Sequence, residues 1–163
     1  MTEISTIGED EFTNSTSMLP LVSIDLIITN SEGLVLLGKR ENRPAKGSWF
    51  VPGGRIRRME SFNTAFRRIS ENELGRSFSL DEAILSGVFE HMYDNSAFSE
   101  EIGAHYVSIG VNVDGEYLKI ENLPQIQHKE YRWFNLKDIH KSKLVHNRTK
   151  EFFDSQVGIR PKK

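Results

Sequence analysis

The sequence predicts a single α+β domain in which sheet strands surround one central helix, as in an α/β/α sandwich. Three observations predict it. Short aliphatic and β-branched runs recur on both sides of residues 61–75. That stretch is itself the clearest amphipathic helix, with Phe62, Ala65, Phe66 and Ile69 at helical spacing. A second helical pattern near the C-terminus supplies another layer, and 163 residues fit one domain with room for a real core.

Residues 1–18 form a polar N-terminal arm, with a short helix expected over 10–18 or a loose segment, either of which could serve a dimer contact. Residues 21–30 (LVSIDLIITN) read as a buried strand. Asn30-Ser31-Glu32-Gly33 makes a turn, and residues 34–39 return as the second strand of a hairpin. Asp25 is odd within this apolar run; it is either a surface-facing strand residue or a polar group reaching a site. Residues 40–47 read as a loop from their Pro, Gly and charge content. Residues 48–51 are a short strand that ends at Gly53-Gly54, where a tight turn is expected. Ser61 is a plausible N-cap and Gly75 a C-cap for the central helix.

After that helix, residues 83–93 read as a strand whose Gly87 marks a bulge. Residues 94–101 are a polar loop, and 104–113 alternate well enough for a strand. Residues 116–124 show no clear pattern. Residues 131–134 form a last strand, with helices or turns expected at 136–139 and 147–153. The tail, 159–163, is basic and expected to be mobile.

Composition narrows the classes. With 37% hydrophobic and 27% charged residues, a soluble globular protein is expected. A net charge of −2 gives no reason to expect nucleic-acid binding, and no apolar run is long enough for a bilayer. The absence of cysteine removes disulfides and thiolate metal sites, which suits the cytoplasm. The acidic start carries no basic, apolar leader, so no signal peptide is expected.

At about 100° per residue, Glu73 falls on the apolar face of the central helix, near the negative end of its dipole. A buried carboxylate there is unfavourable unless a cation sits beside it. The alternative is a frayed last turn with Glu73 in water.

The stretch Gly53 onward resembles the signature of Nudix hydrolases, G-x5-E-x7-R-E-U-x-E-E-x-G-U, where U is aliphatic. Gly54, Glu60, Arg68, Glu73 and Gly75 fall in register. Two family glutamates are replaced by Ile69 and Asn72, and two aliphatic positions hold Ser70 and Arg76. Loss of those carboxylates is a trait of the GDP-mannose mannosyl hydrolase branch. LVSIDLII, LLGKRENRPAKGSWFVPGGR, HMYDN, AHYV and QHKEYRW also resemble that branch. The resemblance implies the Nudix fold with a mixed sheet. It also implies Mg²⁺-dependent hydrolysis of a GDP-hexose, with Mn²⁺ able to substitute, by a homodimer. The competing functions are a pyrophosphohydrolase attacking phosphorus and a non-catalytic nucleotide-sugar sensor.

A pyrophosphate calls for arginine forks and a divalent metal. By resemblance Arg40 and Arg55 contact phosphate, while Arg68 braces the helix against Glu60 or Glu73. The metal would take Glu73, the Gly53 carbonyl and the Gln127 amide. Among five histidines, His128 is the expected general base, since imidazole titrates near neutrality. His91 and Tyr93 share a strand face and resemble a ligand-contacting pair. Alternation should turn Tyr106 toward the site and His105 away. His140 and His146 are expected at the surface.

Overall fold

The computed structural model describes residues 7–162. Its frame is β1 (Leu21–Thr29), which runs parallel to β6 (Ala104–Asp114) along its whole length, from Leu21 opposite Tyr106 to Thr29 opposite Asp114. On its other side β1 meets β4 (Gly53–Arg55) and the start of β2 (Val35–Arg40), both antiparallel. β2 in turn carries β3 (Trp49–Phe50) and β7 (His128–Phe134), and β5 (Ala83–Tyr93) closes the far edge on β6. The result is one mixed seven-stranded sheet.

Alternation along β1 splits the core in two. Ile24, Leu26 and Ile28 pack against Ala65, Phe66, Ile69 and Leu74 of α2 (Phe62–Leu74). Ile27 faces the opposite layer, with Phe89, Ile139 of α3 (Leu136–Lys141), and Phe152, which caps α4 (Asn147–Glu151). This is the expected α/β/α arrangement. A further helix, α1 (Glu9–Met18), precedes the sheet, which the arm reading allowed.

The ends of α2 follow the sequence. The Ser61 hydroxyl accepts the Thr64 N–H at 3.1 Å, and Gly75 closes the helix at φ 70°. Two of the four departures from the aliphatic and acidic pattern also have local causes. Ile69 fills apolar space against Gly54, and buried Ser70 accepts the Phe78 N–H at 3.0 Å.

Three expectations are corrected. Gly53-Gly54 is no turn but part of β4, where a Cβ at Gly53 would strike the Asp25 carboxylate and the Ile24 carbonyl. Glycine serves close approach here, not unusual φ. The last strand starts at His128 rather than Tyr131, because β7 pairs with β2 as far as Arg40 opposite His128. The tail is held as far as Arg160. Ile159 exchanges backbone hydrogen bonds of 2.8 Å with Val88, and the Arg160 guanidinium donates to three carbonyls at the end of α4. The Gly87 bulge lies where the sequence puts it. Residues 116–124 contain a single 3-10 turn, Ile120–Asn122.

Gly38 in β2 makes room for the His128 ring, which a Cβ there would hit. Gly38→Ala is therefore expected to cost about 1–3 kcal/mol of overpacking strain, read as a lower denaturation midpoint at unchanged m-value.

Candidate active site

One cavity of about 290 Å³ collects the ends of several strands. Asp25 from β1, Arg40 from β2, Gly53 and Arg55 from β4, His91 and Tyr93 from β5, Tyr106 from β6 and Gln127 before β7 all line it. The sequence names each of them as a site candidate, and the structure brings them to one cavity. Glu73 and His128 are not on its wall; both are buried and face one another.

Asp25 is the polar group reaching the site, not a surface residue. Its carboxylate accepts hydrogen bonds from Ser23 at 2.9 Å and from Ser108 of the neighbouring parallel strand. Burial nevertheless pushes its carboxyl pKa up to about 6, against the opposing pull of those hydroxyls and Arg40. The charge of Glu73 pushes in the same direction as burial, so the two carboxylates are electrostatic neighbours.

The arginines divide their work. Arg40 bonds the Asn42 carbonyl at 3.4 Å, with its guanidinium 5.8 Å from the Phe50 ring centroid. Arg55 stacks at 4.4 Å over Phe12 of α1, and burial lowers its pKa. Both guanidinium groups keep most of their donors for an anion in the cavity. Arg68 instead grips Glu60 with two bonds of 2.7 and 2.8 Å and the Arg55 carbonyl with a third of 2.9 Å. It braces the end of β4 at Arg55, and the partner is Glu60, whose pKa it holds low.

Glu73 is buried, as its place on the apolar face demanded, and the frayed-turn alternative fails. His128 Nδ1 stands 3.3 Å from its Oε2. The Tyr131 hydroxyl donates to the Pro124 carbonyl at 2.9 Å and lies 3.2 Å from the Glu73 carbonyl, tying the segment before Gln127 to the end of α2. Yet Glu73 Oε2 has no hydrogen-bond partner. Glu73, the Gly53 carbonyl and the Gln127 amide would offer a cation only oxygen donors, the chemistry that suits a hard divalent ion. Among the described residues no group of three His, Cys, Asp or Glu side chains could hold a metal. Backbone, amide and ligand oxygens would have to complete the shell.

His128 departs from expectation. It is sealed between Gly38, Tyr131 and Glu73 rather than presented to the cavity. His105 does turn away, 3.1 Å from Glu90, while Tyr106 faces in and meets Tyr93 at 6.0 Å. His140 is exposed, but His146 is half-buried. It caps α4 through Nδ1 and packs at 5.6 Å on both Phe50 and Tyr93. Phe12 was also missed: nothing in a polar arm marks one phenylalanine as a cavity wall.

The profile of the NUDIX domain family matches residues 19–156. The chain belongs to the Nudix hydrolase family. Nudix hydrolases act on nucleoside diphosphate derivatives and generally use divalent metals such as Mg²⁺. A low-salt glycan biosynthesis protein, Agl8 of Haloferax volcanii, is 38% identical over 78% of this chain and 79% of its own. A MutT Nudix hydrolase from Burkholderia pseudomallei is similar at 25% identity and TM-score 0.63, covering 82% of this chain and 95% of its own. The Nudix domain of Shewanella oneidensis NrtR, solved with ADP-ribose, shares the fold at 18% identity and TM-score 0.61, over 90% and 97% of the two chains. No helix among the described residues is long and apolar enough to cross a membrane.

Beside this Nudix cavity, burial lowers the His91 pKa from 6.5 to about 3, helped by Arg148 and His146. The unfolded chain takes up this proton below pH 6.5, and the folded chain does so only near pH 3. The contribution is thus complete above pH 6.5 and is lost progressively as pH falls toward 3. His91→Gln should flatten that part of the stability–pH curve, measured by urea titrations between pH 4 and 7.

Proposed function

We propose that this Nudix protein hydrolyses a GDP-hexose, GDP-mannose or GDP-glucose, to GDP and free hexose, with Mg²⁺ and by inverting attack of water at sugar C1. The observation that carries the reading is the fate of the signature carboxylates. Glu60 is kept as the partner of Arg68, but of the three glutamates on the helix only Glu73 remains, in a buried position. Ile69 is committed to the core, and Asn72 is exposed to solvent. The carboxylate cluster that activates water against phosphorus in the general family is therefore absent from this helix. Arg40 and Arg55 are free to receive a diphosphate, and a bound magnesium ion would neutralise it further. With the leaving group's charge met in this way, an oxocarbenium-like sugar can develop at the other end. The Haloferax relative's name, which refers to glycan biosynthesis, is in keeping with a sugar-nucleotide substrate. The resemblance adds a homodimer working in the cytoplasm, and exposed Met18, Leu19 and Val22 offer it an apolar edge.

Incubation with GDP-mannose and Mg²⁺ should release GDP and mannose, and Glu73→Gln should remain folded while losing the metal-dependent rate. Mannose 1-phosphate and GMP would mean phosphorus attack instead. Tight binding without any product would identify a sensor.

Two side chains are equipped to take the proton from water, and position ranks them. Asp25 lies on the cavity wall with its pKa near 6, while His128 is enclosed against Glu73. As the side chains stand, Asp25 is the proposed base and His128 holds Glu73 in place. Asp25→Asn is then expected to lower kcat by about 10²–10⁴-fold and to abolish the acid limb of the rate profile. His128→Leu should act less on kcat and more on the Mg²⁺ concentration required. If His128→Leu alone removes the limb, the base is His128, and its ring must turn out of the Glu73 contact during turnover.

A further inference from the structure

His91, buried in the wall of the cavity, is coupled to the half-buried Glu151 behind it. His91 Nε2 lies 3.5 Å from Glu151 Oε2, and both atoms are sealed from solvent with no hydrogen-bond partner. The ring is packed edge-on against Phe50 and Phe152 and near Phe89 and Tyr93, so it cannot turn over without displacing them. Glu151 is fixed as well. Its Oε1 receives Arg148 at 2.7 Å, and Arg148 is anchored in turn on the Met92 carbonyl at 3.0 Å.

We propose that Glu151 is a positioning residue that holds His91 as the Nε2–H tautomer. The ring then presents the Nδ1 lone pair to the cavity as an acceptor for a ligand hydroxyl. A proton on Nε2 sets a donor facing the carboxylate oxygen across 3.5 Å, a long contact that a shift of a few tenths of an ångström makes a hydrogen bond for both orphaned atoms. The opposite tautomer would set a nitrogen lone pair against a carboxylate oxygen, leaving two buried polar atoms unpaired and repelling. Nδ1 is the ring nitrogen that is not sealed, and His91 lines the cavity. The ring is neutral near pH 7, since burial holds its pKa far below that, so only one nitrogen carries a proton. Arg40 and Arg55 offer donors on the same cavity wall. Acceptor and donors together suit a ligand that carries hydroxyls beside an anionic linkage. The assignment of that hydroxyl to a hexose rests on the functional reading above; the tautomer does not.

The test is the tautomer itself, read from the imidazole ¹⁵N shifts of labelled protein at pH 7 without ligand. Wild type should show a protonated Nε2 and an unprotonated Nδ1 for His91. In Glu151→Gln, Arg148 keeps the amide oxygen in the Oε1 position, so the NH₂ group occupies the Oε2 position and donates to Nε2. The tautomer should flip to Nδ1–H. With acceptor turned to donor, KM for the nucleotide sugar should rise about tenfold, as for one mismatched hydrogen bond. Nδ1–H or imidazolium in wild type would overturn the proposal, as would a Glu151→Gln spectrum identical to wild type. A flipped tautomer in a protein that hydrolyses no nucleotide sugar would sustain this inference and refute the functional reading.

Discussion

A carboxylate buried at the C-terminal end of a helix is the constraint around which this structure is built. Glu73 sits where the α2 dipole is negative and water is excluded, so its charge needs compensation from elsewhere in the chain. The His128 ring lies against it at 3.3 Å, and Tyr131 fastens the same segment to the helix end. Glu73 Oε2, the oxygen that faces His128, still has no hydrogen-bond partner. The fold thus leaves a buried carboxylate oxygen without a donor or cation beside it, the demand that the proposed Mg²⁺ would meet.

The sheet is shaped to bring other groups close to that oxygen. Gly53 lets β4 lie against Asp25, and Gly38 lets β2 accept the His128 ring. In both places the missing Cβ brings a polar side chain and a backbone within contact. The parallel pairing of β1 with β6 sets Ser108 against Asp25, which no local sequence pattern could have shown. Asp25 and His91 are both buried and titratable, but their burial has opposite results. The carboxyl is raised toward neutrality, and the imidazole is kept neutral throughout the physiological range.

Much of this was legible in sequence, and what was missed shares a cause. The helix caps at Ser61 and Gly75, the bulge at Gly87 and the inward face of Tyr106 follow from local chemistry and periodicity. The signature resemblance located Arg55, Glu73 and the Arg68 brace. The role of His146 depends on the packing of α4 against Phe50 and Tyr93, residues far from it in the chain. The fixed tail depends likewise on Val88 and three carbonyls at the end of α4. His128 shows the limit most clearly. Its residue type and neighbours suggested a base, but only tertiary contacts reveal that its ring is turned toward Glu73 and away from the cavity. Gly53-Gly54 was misread because glycine pairs are commoner in turns, whereas here they permit strands to touch.

The proposed reaction directs water to carbon rather than to phosphorus, in a Nudix site whose helix keeps one of its three signature glutamates. The most direct measurement is hydrolysis of GDP-mannose in ¹⁸O-water, with the products resolved by mass spectrometry and the first-formed anomer by NMR. A single displacement at carbon places the label in the hexose, leaves GDP unlabelled and gives β-mannose first from the α-linked substrate. Label in a phosphate, with the α anomer retained, would contradict the account.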